Sequence, residues 1–447
     1  MDKRIVVIGG NAAGINAAVA ARRTDRKAEI IMVERDKYAV YSRCGIPFVI
    51  AGEIPRFEDL VLYPPEYYKM TKIDLRLETT ATAINKDEKT VELLSKDGKS
   101  ETIEYDSLVL CTGAKAWMPP IEGRDKKGVF MVRTLDDGKA IKEALEKAKN
   151  AVVIGAGAIG LEMAAAMKEK GLNVTVVELL PYVLPAALDG DTAKLVQEKL
   201  EEEGVRVIVG KGVEAIVGDE KVKGVMVAGE EIPADIVIGA TGVRADVELA
   251  KNAGIEIGPR RGIKTDFRMR TNVENIYAAG DCAENVHMIT KQPAVAQLGT
   301  TAVRMGKIAG INAAGGYATF PGVLGSFVTR IFDLQVGATG LTEFMAKRSG
   351  MNVVTASLSG ITRAEYYPGH KSIRVKLVFD AETRRLIGGQ IVGGEEVTQR
   401  INVLSVAIQA GFTVTDIMKM DSCYAPPLAD VWEPIALTAE IALKKFK

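Results

Sequence analysis

The sequence is poor in the residues that build covalent or metal-based scaffolds. Its 447 residues include only four cysteines, Cys44, Cys111, Cys282 and Cys423, and only two histidines, His287 and His370. Cysteines so few and so scattered exclude a disulfide framework and a zinc site, so no metal is expected and a reducing cytoplasmic setting fits. A surplus of charge is also missing. Lys plus Arg and Asp plus Glu both total 58, so no net field favours nucleic acid or an anionic membrane as a partner. Long apolar runs are lacking too. The basic start Met1-Asp2-Lys3-Arg4 precedes an apolar stretch that resembles a signal peptide, but Gly9, Gly10, Asn11 and Gly14 interrupt it. No other segment is long and apolar enough to span a bilayer. At this length, two or three domains are expected rather than one core.

What the chain does have is a repeated glycine signature. Ile5-Val6-Val7-Ile8 is a short apolar run, as expected of a central parallel strand covered on both faces. It leads into Gly9-Gly10-Asn11-Ala12-Ala13-Gly14, an Ala-rich helix, and a second strand, Ile30-Ile31-Met32-Val33, that ends in Glu34. Strand, glycine turn, helix, strand and acid form the dinucleotide fingerprint. The glycines let backbone approach a pyrophosphate at the helix N-terminus, and the acid accepts from a ribose hydroxyl. Asn11 stands where the second motif glycine usually sits. The unit recurs as Ala151-Val152-Val153-Ile154, then Gly155-Ala156-Gly157-Ala158-Ile159-Gly160, then Val174-Thr175-Val176-Val177 ending in Glu178. Each copy is followed by a buried strand and a turn, Thr112-Gly113 and Thr241-Gly242. Two such sites imply two cofactors, or a cofactor and a co-substrate, with hydride passing between them.

Between the copies lies Ser42-Arg43-Cys44-Gly45-Ile46-Pro47-Phe48. Gly then Pro suits a loop turning into a helix, since Pro is tolerated in the first turn. A sulfur placed there feels the positive end of the helix dipole, which favours the thiolate. Residues 78–106 alternate in polarity and predict antiparallel strands. Ile276 to Gly280-Asp281 predicts another strand, followed by a long helix from about Ala294-Val295-Ala296-Gln297 to Asn312. Pro321-Gly322 marks a boundary, after which strands such as Ser372–Phe379 and two amphipathic helical stretches predict an α+β domain.

These motifs, in this order, resemble the flavoprotein disulfide reductase superfamily over nearly the whole chain, with Gly388-Gly389-Gln390-Ile391-Val392-Gly393 as a further match. The resemblance implies an α/β fold with two Rossmann-like dinucleotide-binding domains and a C-terminal α+β dimerisation domain. The FAD-binding domain is expected at residues 1–117 and 244–321, the NAD-binding domain at 118–243, and the dimerisation domain at 322–447. FAD would be held by Gly9, Gly10, Asn11, Ala12, Ala13, Gly14, Glu34, Arg35, Thr112, Gly113, Gly280, Asp281, Ala296 and Gln297. NADH would be held by Gly155, Gly157, Ala158, Ile159, Gly160, Glu178, Thr241 and Gly242.

Within the superfamily the chain is similar to the single-cysteine branch: coenzyme A disulfide reductases, persulfide reductases, NADH oxidases and peroxidases. Dithiol members need a second cysteine five positions after the first, and Val49 stands there. The branch implies Cys44 as the redox thiol. It also implies two tyrosines from the partner subunit, matched by Tyr424 in Tyr424-Ala425-Pro426-Pro427 and by one of Tyr366 and Tyr367. If that segment is a strand, Tyr366 and Tyr367 face opposite ways. Arg22, Ser42 and Arg43 are the expected substrate contacts, with Arg22 at a position that meets coenzyme A phosphates in relatives. Peroxidase relatives carry a His where Ala12 stands, and His287 and His370 are expected in surface loops. The expected protein is a cytoplasmic homodimer that uses NADH and FAD to reduce a disulfide or persulfide of a small thiol such as coenzyme A. No fused sulfur-delivering domain is expected. The alternatives are an NADH oxidase or peroxidase of the same fold, an NADH-dependent electron-transfer reductase, and a redox sensor.

Overall fold

The computed structural model describes residues 2–446, and it divides into two compact units. One comprises Met1–Ile46, Pro55–Ala116 and Val243–Val323. Its core is a parallel sheet in the order Ile276–Ala278, Ser107–Leu110, Arg4–Ile8, Glu29–Val33, Ile73–Arg76. Val6 faces Ile31 on one side and Leu108 on the other, and all three are buried, as a doubly covered central strand requires. Residues 79–104 form a separate antiparallel three-stranded sheet. The helix expected from about Ala294 begins later, at Gly299, and runs to Ala313. Pro293–Ala294 pairs as a short strand instead, because proline holds the chain extended, and Ala296 and Gln297 lie in the connector. The helix of Gly299–Ala313 packs closely on the helix of Ala12–Thr24. A Cβ at Gly306 or Gly310 would come within 2.1 or 2.0 Å of the carbonyl oxygens of Ala13 and Ala17.

The second unit comprises Pro47–Ile54, Trp117–Gly242 and Leu324–Lys447. It repeats the parallel arrangement in the order Arg206–Val209, Asn173–Glu178, Asn150–Ile154, Ile236–Gly239, Val129–Met131. Its C-terminal part is an antiparallel five-stranded sheet in the order Phe327–Ile331, Leu334–Gly340, Leu386–Gly393, Ser372–Asp380, Val353–Ile361. Three helices follow rather than two, Val397–Ala410, Val414–Met418 and Pro434–Leu443. Both faces of this sheet carry buried residues, and Leu386–Gly393 is buried throughout. At its edge with the nucleotide module, the Lys376 ammonium is 5 % exposed and meets Asp191 at 2.8 Å and Asp189 and Glu343 at 3.2 Å. Asp189 also accepts from the Gln390 amide and from the backbone N–H groups of Glu343 and Phe344. A buried ammonium stays charged only with such satisfied partners, and this cluster ties the 189–191 turn to the C-terminal sheet. Among the described residues no helix is long and apolar enough to cross a membrane, and no cluster of His, Cys, Asp or Glu is arranged to hold a metal.

Candidate active site

The two glycine turns share one backbone plan. Gly9 and Gly155 have φ near +101° and +103°, a left-handed turn that an L side chain resists. A Cβ on Gly14 would lie 1.8 Å from the Gly9 carbonyl oxygen, and one on Gly160 2.1 Å from that of Gly155. Only glycine lets the helix start this close to the strand it leaves. The two acids also play one part. Glu34 Oε2 accepts from Gly10 N–H at 2.7 Å and Oε1 from Asp36 N–H at 2.9 Å. Glu178 does the same with Ala156 and Leu180, both at 2.8 Å. Each acid therefore clamps its glycine turn. Burial pushes the Glu34 carboxyl above its usual range, against the backbone N–H groups and Arg43.

The turns differ most at the helix cap. Gly157 caps its helix, and a Cβ there would meet nothing within 4 Å. Asn11 caps the other helix through its own Oδ1, which accepts from Ala12 N–H, while its amide donates to Tyr41 O. The Asn11 side chain is thus turned onto the protein. A helix N-terminus leaves first-turn N–H groups that its own helix cannot satisfy, which fits a pyrophosphate at each turn. Gly280 packs on Ala13, where a Cβ would sit 2.8 Å from the Ala13 Cβ, and so brings Asp281 to the start of the first helix. The Gln297 amide donates to Asp281 O at 3.4 Å. Thr112 and Thr241 are equivalent again, but their hydroxyls donate to the backbone oxygens of Asp246 and Trp117 and so close the turns. Arg35 pairs with Asp246 at 3.3 Å, beside Lys115. Ala158 and Ile159 open the second helix, with Ile159 exposed.

Cys44 lies in a 3-10 turn, Arg43–Gly45, that runs into a helix of only Ile46–Ala51. The expected helix dipole at the sulfur is therefore that of a single short helix, with Pro47 in its first turn. Ser42 precedes the 3-10 turn, and its N–H donates to Leu60 O. A Cβ on Gly45 would lie 2.3 Å from Leu60 Cδ2, so a larger residue there would require Leu60 to shift. Cys44 and Cys423 are exposed, whereas Cys111 and Cys282 are buried and burial raises their thiol pKa values, the setting of inert sulfur. Val49 is fully buried.

Several substrate contacts take other partners. Arg22 is committed to backbone oxygens of Thr71, Arg26 and Lys72 at 3.2, 2.9 and 2.8 Å, because the helix C-terminus and the 71–72 turn present unpaired carbonyls there. Arg43 lies over the Tyr41 ring, 5.5 Å from its centre, and its buried Nε has no hydrogen-bond partner. Of the histidines, His287 is partly buried with its Nδ1 accepting from Ile289 and Thr290, and burial lowers its pKa; His370 is exposed.

Tyr366 and Tyr367 are not on a strand. They lie in the 362–371 loop, where Tyr367 N–H closes a turn onto Ala364 O and Pro368-Gly369 breaks the extended run. The loop singles out Tyr366, whose hydroxyl lies 2.8 Å from that of Tyr424. That hydrogen bond, followed by partial desolvation, raises the Tyr424 pKa. Ala425-Pro426-Pro427-Leu428-Ala429 forms a turn closed by an Ala425–Ala429 bridge, not the extended segment that two prolines suggest, because Leu428 N–H finds Ala425 O. Sequence reasoning also missed Glu162 on the second fingerprint helix. It is largely buried, accepts from Thr329 Oγ1 at 2.5 Å, and burial raises its pKa. Its place inside the second glycine-rich helix was the available signal.

Two nucleotide-type turns, and an exposed cysteine that forms no disulfide, are the features of a flavin- and nicotinamide-linked oxidoreductase. The chain belongs to the pyridine nucleotide-disulphide oxidoreductase family: residues 3–306 match that family, and residues 327–435 match its dimerisation domain. It is an FAD-dependent, NAD(P)H-linked flavoenzyme of the disulfide reductase class, with single-cysteine relatives and a homodimeric domain type. It is 46% identical over 446 residues to an NADH oxidase of Methanocaldococcus jannaschii, covering 99% of both chains. It is 40% identical to an NAD(P)H coenzyme A polysulfide/persulfide reductase of Pyrococcus horikoshii, covering 99% of this chain and 98% of that one. Among solved structures, an NAD-dependent persulfide reductase from A. fulgidus superposes with a TM-score of 0.96 at 41% identity, covering 99% of this chain and 83% of the other.

Proposed function

We propose that the protein is an NADH-dependent reductase of small disulfides or persulfides, with coenzyme A as the thiol and Cys44 as the reacting sulfur. The observation that carries this reading is the Tyr366–Tyr424 hydroxyl pair at 2.8 Å in the domain that matches the dimerisation family. Oxygen reduction has no need of a proton source for a leaving thiolate, whereas sulfur–sulfur exchange does. In this reading the first turn would hold FAD and the second NADH, and the bound pair would supply the two electrons the reduction needs. Residues 1–117 and 244–321 form the FAD-binding domain, 118–243 the NAD-binding domain and 322–447 the dimerisation domain. The Cys44 thiolate attacks the substrate sulfur, a mixed disulfide forms, and the first thiolate leaves with a proton from the tyrosine pair. The two electrons then break the mixed disulfide and regenerate the Cys44 thiolate, and the second sulfur departs protonated. A disulfide yields two thiols; a persulfide yields one thiol and hydrogen sulfide. Ser42 and Arg43 border this sulfur in sequence, and a thiol that must stay reduced suits the cytoplasm.

The tyrosine pair of each subunit is proposed to serve the Cys44 of its partner, so that the homodimer completes the site. A second reading is supported by several comparisons: relatives 46% and 31% identical are named NADH oxidases, and a water-forming NADH oxidase from Lactobacillus brevis superposes with a TM-score of 0.95. There Cys44 would cycle through a sulfenic acid while oxygen or peroxide takes the electrons. Steady-state turnover with coenzyme A persulfide, coenzyme A disulfide and oxygen, measured side by side, tests the choice. Oxygen turnover that exceeds both sulfur substrates would overturn the sulfur reading. Mixing Cys44→Ser subunits with Tyr424→Phe subunits tests the shared site, since only mixed dimers then hold one intact pairing.

A further inference from the structure

The hydroxyls of Tyr366 and Tyr424 meet at 2.8 Å, yet the two residues are 74 % and 48 % exposed. A hydrogen bond between exposed phenols competes with water and is worth only about 1 kcal/mol, too little to hold two loops in register. Something else must set their separation. The 362–371 loop is closed at its neck by Thr362 and Lys371: Thr362 N–H donates to Lys371 O, and Lys371 N–H donates to Thr362 Oγ1. The same Thr362 hydroxyl donates to Glu395, and Arg363 grips both Glu395 oxygens, at 2.6 and 2.5 Å from one guanidinium nitrogen. The next residue, Glu396, points the other way. It accepts from Arg400 at 2.8 Å, and Arg400 makes a two-point contact with Glu433 at 2.9 and 3.0 Å. Glu433 ends the segment that carries Tyr424 and caps the helix of Pro434–Leu443. Adjacent glutamates can serve opposite loops because Glu396 adopts φ +62°, ψ 14°. That left-handed conformation costs a non-glycine residue on the order of 1–2 kcal/mol, a strain retained only where the surroundings enforce it.

We infer that Glu395–Glu396 is a positioning device: through Arg363 on one side and Arg400–Glu433 on the other, it sets the Tyr366–Tyr424 pair. The inference rests on the proposed role of the tyrosines as proton donors. None of these five residues touches substrate in this scheme. They act through the loops, and planar two-point pairs fix direction as well as distance, which a lysine in place of either arginine would not. Arg363 and Glu395 are the sites to perturb, because Arg400 is buried and its loss threatens the fold.

The test is fluorine NMR of the FAD-loaded dimer labelled with fluorotyrosine, the two resonances being assigned by Tyr366→Phe and Tyr424→Phe. In the parent, Tyr366→Phe shifts the Tyr424 resonance. In Arg363→Met that mutual shift is lost, hydride transfer from NADH is unchanged, and thiol release from Cys44 slows by about 10-fold to 100-fold, as misplaced donors do. Arg363→Lys does not restore it. Should Arg363→Met fail to fold, Glu395→Gln gives the same reading. A mutual shift that persists in both variants overturns the inference. A mutual shift that is lost with no change in disulfide or persulfide turnover upholds the positioning role and overturns the proposed role of the tyrosines.

Discussion

One added methyl group should have opposite effects at two positions three residues apart. At Gly157 a Cβ meets nothing within 4 Å, and the backbone, φ −74° and ψ 176°, suits alanine. Alanine is a poorer N-cap than glycine by roughly 0.5–1 kcal/mol, while the stiffer unfolded chain returns about 0.4–1 kcal/mol, so Gly157→Ala should leave stability nearly unchanged. At Gly160 the same Cβ would sit 2.1 Å from the Gly155 carbonyl and 3.2 Å from Ala240 Cβ. A backbone oxygen cannot rotate aside, so the helix must move off the sheet. Overpacking of this kind costs about 1–3 kcal/mol, only partly offset by the roughly 1 kcal/mol better helix propensity of alanine. The binding outcomes should reverse. Gly157→Ala places a methyl in the space left for the NADH pyrophosphate and removes a charge-assisted backbone contact worth about 1.5–3 kcal/mol, a loss of about 10-fold to 100-fold in affinity. Thermal unfolding of the FAD-loaded protein and equilibrium NADH titration measure the two quantities separately. A Gly157→Ala protein that binds NADH like the parent, or a Gly160→Ala protein equally stable to the parent, would refute the reasoning. The other turn supplies the control: Asn11→Gly should cost stability, because the cap bond to Ala12 is lost.

Cys44→Ser should keep NADH-dependent flavin bleaching and lose disulfide and persulfide turnover, since a serine hydroxyl neither attacks sulfur at neutral pH nor forms the mixed disulfide; stopped-flow and steady-state rates read the two steps. NADH should be preferred to NADPH because Glu178 meets the ribose edge with negative charge, and Glu178→Ala combined with Leu179→Arg should move the kcat/KM ratio toward NADPH. Lys376→Met should lower the urea midpoint by an amount equivalent to about 3–5 kcal/mol, as it strands buried Asp189 without its cation. Burial opposes the charge on Asp189, but the Gln390 and backbone hydrogen bonds and Lys376 prevail and hold its pKa below the usual aspartate range. A depressed carboxyl contributes stability above its unfolded pKa and loses it as pH falls through the folded one. The stability gap between the parent and Asp189→Asn should therefore be full at neutral pH and close below about pH 4; a gap independent of pH would contradict it.

The division between sequence and tertiary structure follows the range of the interactions. Both nucleotide turns were legible in the chain because their constraints are local: a left-handed glycine, a glycine where helix meets strand, and an acid one strand further on. The exclusion of an internal dithiol was equally local, resting on Val49. The helix from Gly299 was placed some residues too early, because periodicity does not mark where proline diverts the chain into a strand pair. The substrate contacts were hardest to read. Nothing near Arg22 in sequence reveals that carbonyls at 71–72 will claim its guanidinium. The choice of Tyr366 over Tyr367 depends on a loop that Glu395 braces through Thr362 and Arg363, and Tyr424 reaches Tyr366 across 58 residues of chain. Lys376 reads as one more charge on an alternating strand, and only folding surrounds it with Asp189, Asp191 and Glu343. Short-range sterics wrote the cofactor turns into the chain, whereas long-range pairing of charged and phenolic side chains, decided by which loops the sheets bring together, determined the geometry of the candidate thiol chemistry.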